Sequence, residues 1–273
     1  LQHRIWSLAF DRRLYLAPLP STMTQALDVG CGTGAWAIEF ADAHPHTHIT
    51  GTDISPIQPT AVPPNCTFMI DDATREWAFG QRFDFIHTRA LTMAIGDWDR
   101  FVSQAFDNLL PGGWIELQEF HLPLGCDDES MSEGTALWKW GVEIRRACQK
   151  VGIESMASVE HPTRLKKVGF ENVNEHVLKA PIGPWAKGKR EKRLGAMARK
   201  DLSDGLDGIS TKLFHILGYK EEEVKALLDA VKEELDNPDV SSEPYFQCVE
   251  RVAKLEIDPF LHAIVSFVLS RRV

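Results

Sequence analysis

Apolar and polar positions change period along this chain in regular blocks. The run Ala26, Leu27 and Val29 reads as a strand and ends at the turn Gly30-Cys31-Gly32-Thr33-Gly34. Trp36, Ile38 and Phe40 then open a helical pattern. The alternation recurs. Strands are predicted at 48–54, 66–70, 83–87 and 114–120, each a short apolar or β-branched run ending in polar or turn residues. Between the last two, Trp98, Phe101, Val102, Ala105, Phe106 and Leu109 recur at helical spacing, with Asp97 placed to cap the helix and Pro111-Gly112-Gly113 to end it. The second half is more helical. Helices are expected at 132–151, ahead of Gly169, at 189–215 and at 221–236, where Val224, Leu227, Leu228, Val231 and Leu235 share one face. Two further strands are read at 173–178 and 245–249. The apolar stretch 259–269 fits no element of the pattern, and no internal repeat is visible.

Strands alternating with helices imply an α/β fold, with a parallel sheet covered on both faces. The chain divides into an amphipathic cap segment at 1–20, a core at 21–180, a helical insertion at 181–240 that suits a lid, and a last strand with a tail at 241–273.

Composition narrows the function. The chain has 273 residues, 44% hydrophobic and 25% charged, and a formal net charge of −9. That acidic balance argues against a nucleic-acid partner, and the basic cluster from Lys187 to Arg193 is read as a solvated helix start. Five scattered cysteines without a C-x-x-C pair point to a reducing compartment and no structural zinc. The run His44-Pro45-His46-Thr47-His48 straddles a turn and is not read as a metal site. No apolar run reaches membrane-spanning length. The chain opens on Leu1 rather than Met and is read as a fragment.

Gly32-Thr33-Gly34-Ala35-Trp36-Ala37 satisfies the dinucleotide spacing G-x-G-x-x-[GA]. The same turn, read from Asp28, also suits S-adenosylmethionine (SAM). An anion at the strand end would bind an α-ammonium and repel a pyrophosphate. Asp53 ends the second strand and suits a ribose, which either ligand has. Asp72 and Ala73 follow the third strand, where a carboxylate and an N–H suit an adenine edge. All lie at the carboxyl edge of a parallel sheet, where such folds bind ligands.

The order LDVGCGTGAW, TDIS, DDA, FDFIHTRAL and LLPGGWIELQEF resembles the class I SAM-dependent methyltransferases. Leu14-Tyr15-Leu16-Ala17-Pro18, His87-Thr88-Arg89 with Asp97-Trp98, and Pro181-Ile182-Gly183-Pro184-Trp185 resemble more narrowly the fungal LaeA-like methyltransferases. The resemblance runs from about Leu1 to Val249. It departs in lacking the long N-terminal region of that family's regulators, and in the segment after Val249.

The resemblance implies a Rossmann-like sheet with a helical lid before the last strand, and SAM as cofactor. The implied cofactor set is Tyr15, Asp28, Gly30, Cys31, Gly32, Thr33, Gly34, Asp53, Ile54, Asp72, Ala73, His87 and Arg89. Glu119 and His121 are the candidate catalytic bases, with His87 at the sulfur end, and Trp98 and Trp185 the candidate walls of the acceptor pocket. The expected acceptor is a small molecule of fungal secondary metabolism, methylated in the cytoplasm without nucleic acid or membrane. The alternative is a nuclear regulator acting through a protein partner. An NAD-dependent oxidoreductase is the third reading.

Overall fold

The computed structural model describes residues 1–128, 131–237 and 244–255. In chain order the elements are α1 (Gln2–Ala9), β1 (Gln25–Val29), α2 (Ala35–Ala43), β2 (His48–Asp53), β3 (Cys66–Ile70), β4 (Phe83–Arg89), α3 (Trp98–Asn108), β5 (Leu109–Cys126), α4 (Ala136–Lys150), α5 (Ala157–Val168), β6 (Glu171–Pro181), α6 (Lys189–Leu217), α7 (Glu221–Asp236) and β7 (Pro244–Lys254).

The strands form one sheet in the order β3-β2-β1-β4-β5-β7-β6. From β3 to β5 every pairing is parallel. β7 runs antiparallel to both β5 and β6. The expectation of a parallel sheet therefore fails at this one strand, and the sheet is mixed. The reason is the connection. The helices of the insertion separate β6 from β7 in the chain, and β7 enters between β5 and β6 from the opposite end. β7 is also longer than the run 245–249, pairing with β5 from Pro244 to Lys254. The apolar stretch 259–269 lies outside the described residues.

Each face of the sheet is covered by the residues its pattern sets aside. Asp97 caps α3 by accepting from Arg100 N at 2.9 Å. Trp98, Phe101, Val102 and Ala105 of that helix pack on Leu27, Ile86, Ile115 and Leu117 of the central strands. On the opposite face, Trp36, Phe40 and Ala37 of α2 meet Ala26, Ile49 and Phe85. Burying one such large side chain contributes about 1.5–3 kcal/mol, so both faces are held by many contacts of that size.

The insertion builds its own layer. α4, α6 and α7 pack together through Trp140, Ile144, Leu206, Phe214, Leu228 and Val231, and onto Leu122 and Leu124 in the carboxyl half of β5. α1 is the helix expected within the first twenty residues. Its Ile5, Trp6 and Ala9 join Ala180, Leu194 and Cys248, and Arg190 of α6 donates to the carbonyl oxygens of Leu8 and Ala9. α1 and α6 thus meet above the sheet edge where the glycine turn emerges.

Candidate active site

The turn after β1 wraps in the left-handed region at Gly30, Gly32 and Gly34. Gly34 begins α2, and a Cβ there would stand 2.2 Å from the Phe68 ring. Gly32 is the opposite case. Nothing lies within 4 Å of where its Cβ would be, because that side faces a cavity of about 370 Å³. Gly32 N donates to Asp53 Oδ2 at 2.8 Å, and Ser55 N donates to the other oxygen at 2.9 Å. Asp53 therefore ties the end of β2 under the turn and fixes its shape.

Asp28 and His87 sit on adjacent strands at paired positions. Both are buried. His87 Nδ1 donates to Asp28 Oδ1 at 2.8 Å, and the indole of Trp36 stacks on the imidazole at 3.6 Å and 5°. Asp28 Oδ2 and His87 Nε2 have no partner among the described residues, although both are buried and both residues border the cavity. Arg89, two residues on, donates from Nε to Gln118 at 2.7 Å and from a terminal nitrogen to His3 at 3.1 Å. Its guanidinium lies over the Trp6 ring, and burial pushes its pKa down to about 10, against the pull of Asp28, Glu116 and Glu250. Burial, with Asp28 and Asp53 nearby, raises the Cys31 thiol well above its ordinary value, so it stays a neutral lining group.

The structure thus brings Asp28, the glycine turn with Cys31 and Thr33, His87 and Arg89 around one cavity. The remaining residues of the expected set lie outside it. Ile54 is exposed. Asp72 accepts from Thr74 N and Oγ1 at 3.0 and 2.6 Å, which holds its carboxyl below the usual range, and Ala73 takes the Trp77 indole N–H on its carbonyl oxygen at 3.1 Å. Both follow the end of β3, Asp72 half-exposed and Ala73 packed against the core.

Tyr15 does not close over the cavity. Its hydroxyl hydrogen-bonds His44 Nε2 at 3.0 Å, and its ring packs edge-on against Phe40 and Phe85. The N-terminal residues that do border the cavity are Gln2 and His3 of α1.

A second cavity, about 500 Å³ and mostly apolar, lies between the carboxyl half of β5, α1, α4 and α6. Glu119 and His121, read from the sequence as bases directed at an acceptor, do not border it. Alternation does put them on one face of β5, but the opposite face, with Phe120 and Leu122, meets the cavity. Glu119 is buried and accepts from Leu91 N, Thr92 N and Thr92 Oγ1. Burial pushes its pKa up to about 7. Its oxygens anchor the chain leaving β4. His121 faces Ser158, whose hydroxyl lies 3.4 Å from Nδ1, and burial with Arg251 lowers its pKa.

The tryptophans are corrected too. Trp98 is core, against Phe101 and His161. Trp185 donates to Pro244 O at 3.3 Å on another surface. The tryptophan that borders the cavity is Trp140, whose indole N–H donates to Ser210 Oγ at 2.8 Å.

Gln2 and Asp201 border both cavities. Neither is marked in the sequence. Asp201 is one acid among several on α6, distant along the chain from the glycine turn, and only the docking of α6 on α1 brings it there. Burial raises the Asp201 carboxyl, with Gln2 hydrogen-bonding it and opposing the rise.

A mixed sheet with its glycine turn beneath a cavity, an acid at the end of β1 and a helical insertion before the last strand defines a class I methyltransferase. Residues 1–175 match the family described as methyltransferase domain. Methyltransferase pytC of Aspergillus terreus is 34% identical over 240 residues, covering 87% of this chain and 74% of its own. Secondary metabolism regulator laeA of Aspergillus fumigatus is 30% identical over 247 residues, covering 87% of this chain and 65% of its own. Phosphoethanolamine N-methyltransferase 2 of Haemonchus contortus, solved with S-adenosyl-L-methionine, shares the fold at a TM-score of 0.55 and 17% identity, over 93% of this chain and 53% of that one. The chain belongs to the methyltransferase domain family, among the fungal LaeA-like methyltransferases, and is a SAM-dependent enzyme. The site fits that cofactor, since it offers a buried acid with one unpartnered oxygen beside a turn whose middle glycine leaves open space.

Proposed function

We propose that this enzyme methylates a small, largely apolar molecule of fungal secondary metabolism. The observation that carries the reading is the apolar cavity of about 500 Å³, which shares Gln2 and Asp201 with the glycine-turn cavity. Its volume suits a drug-sized ligand. A nucleic acid would instead call for a basic face, and the formal net charge is −9. No helix among the described residues is long and apolar enough to cross a membrane, and we place the activity in the cytoplasm.

SAM, when bound, supplies an activated methyl group, and transfer is an in-line displacement that needs chiefly positioning. In this reading Asp28 holds the ammonium end through its free oxygen, Arg89 the carboxylate, and the backbone at Gly30, Gly32 and Gly34 passes close to the methionine portion. Asp53 takes the ribose, with Ile54 beside it, and Asp72 and Ala73 take the adenine. His87, stacked under Trp36, keeps Asp28 aimed. α1 and α6 form the cover that excludes water. Orienting reactants in this way is worth roughly 7–11 kcal/mol in well-ordered systems.

The test is calorimetric titration of the purified protein with S-adenosylhomocysteine, joined to mass spectrometry of extracts from strains with and without the protein. A single product shifted by one methyl group, with transcripts unchanged, supports the reading. Loss of a whole set of metabolite transcripts would instead favour a nuclear regulator working through a partner.

A further inference from the structure

The apolar cavity has four polar borders: Gln2, Thr92, Asp201 and Asp204. Thr92 is committed, its hydroxyl donating to Glu119 at 2.6 Å. Asp204 is exposed and paired with Lys200 at 2.8 Å. Asp201 is half-buried, and the side chains that act on it are Gln2 and Asp204. No lysine, arginine or histidine side chain is among them. Asp201 also borders the glycine-turn cavity, so its carboxylate stands where the contents of the two cavities meet.

One turn further along the same face of α6 is Gly205, which also borders the cavity. A Cβ there would make only ordinary contact, 3.6 Å from Ile209 Cδ1. Among the described residues no close contact requires a glycine at that point of a helix, where it weakens the helix. What its missing side chain leaves is room in the cavity beside Asp201.

We propose that Asp201 is the acceptor-binding and proton-accepting residue, and that the acceptor is an apolar molecule presenting one N–H or O–H group to it. This rests on the reading that the two cavities hold SAM and a small acceptor. A phosphorylated or carboxylate acceptor would meet Asp201 and Asp204 as like charges. In the transfer the acceptor nitrogen or oxygen forms a bond to the methyl carbon as the carbon–sulfur bond breaks. That bonding pair leaves with the sulfur, and the proton of the acceptor passes to the Asp201 carboxylate. The neutral carboxyl so formed is the state that partial burial already favours.

The test uses three neutral probes of one size, 1-naphthylamine, 1-naphthol and 1-methylnaphthalene. Each is titrated into the full chain saturated with S-adenosylhomocysteine. Asp201→Asn and Asp201→Ser are compared with the parent protein, and thermal unfolding confirms that each is folded. The parent protein is expected to bind the two proton-bearing probes about ten-fold more tightly than 1-methylnaphthalene, the size of one charge-assisted hydrogen bond. Both variants are expected to lose that preference and to keep their affinity for 1-methylnaphthalene. Equal binding of all three probes by the parent protein, no binding of any, or a preference that survives in both variants overturns the proposal. A variant that loses affinity for SAM but not for S-adenosylhomocysteine assigns Asp201 to the sulfonium, and also overturns it. Failure of the parent protein to bind S-adenosylhomocysteine is a separate result. It removes the cofactor reading, while titration of the free protein still reports on Asp201.

Discussion

Asp28 and His87 are paired across β1 and β4, and His87 Nδ1 donates to Asp28 Oδ1 at 2.8 Å with both side chains buried. The acid that borders the glycine-turn cavity is thus held by a neighbouring strand, and its second oxygen has no partner among the described residues. Aiming by a rigid sheet gives the site its geometry without an incoming ligand having to order a loop.

Asp28→Ala is expected to abolish binding of SAM, read by calorimetry, while the sheet stays folded by circular dichroism. It also leaves His87 buried without its partner, at a cost to stability of about 1–3 kcal/mol. Affinity retained in the variant would remove Asp28 from the cofactor site.

Gly34→Ala is expected to destabilise the protein, because a Cβ would stand 2.2 Å from the Phe68 ring on a backbone at φ +74°. The conformational part alone is roughly 1–2 kcal/mol. Adding Phe68→Ala should recover part of the loss in chemical denaturation. No recovery would mean that the strain is all in the backbone.

Gly205 makes the contrast. Gly205→Ala is expected to raise stability by about 1 kcal/mol, since its Cβ meets open space and Ile209 at 3.6 Å. Gly205→Leu fills part of the cavity, so acceptor binding should weaken while S-adenosylhomocysteine binding holds. Equal loss of both would place the acceptor elsewhere.

Stability should fall as pH rises through neutrality. Burial raises Glu119 from 4.5 to about 7, so the folded state keeps a proton that the unfolded chain releases. Its contribution is full below pH 4.5 and lost as pH passes about 7, on the order of 3 kcal/mol in all. Glu250, whose carboxyl is pushed up by burial and by Glu116 beside it, adds to the decline in the same direction. Urea unfolding from pH 5 to 9 checks this. Glu119→Gln should flatten the neutral part of the slope, and an unchanged slope would count against the assignment.

The glycine-turn half of the candidate site was legible because it is local. Strand, glycine turn and helix are contiguous from Gln25 to Ala43, and the turn's own chemistry requires small residues and an acid before it. The acceptor half was not. Strand alternation predicts that Glu119 and His121 share a face, and they do, but not which face meets the cavity. That depended on where α4 and α6 pack on β5, which placed Phe120 and Leu122 inward. The position of Tyr15 was set by packing of the same kind. His44, Phe40 and Phe85 claim it, and no local pattern announces them.

The sequence alone determined the α/β class, the glycine turn between the first strand and its helix, and the helical insertion, since periodicity and turn chemistry act over a few residues. Only the tertiary structure decided the antiparallel entry of β7, the pairing of His87 with Asp28, and the meeting of Gln2 and Asp201 between two cavities. These depend on contacts between segments remote in the chain. Such contacts are chosen by the packing of whole faces, which no short stretch encodes.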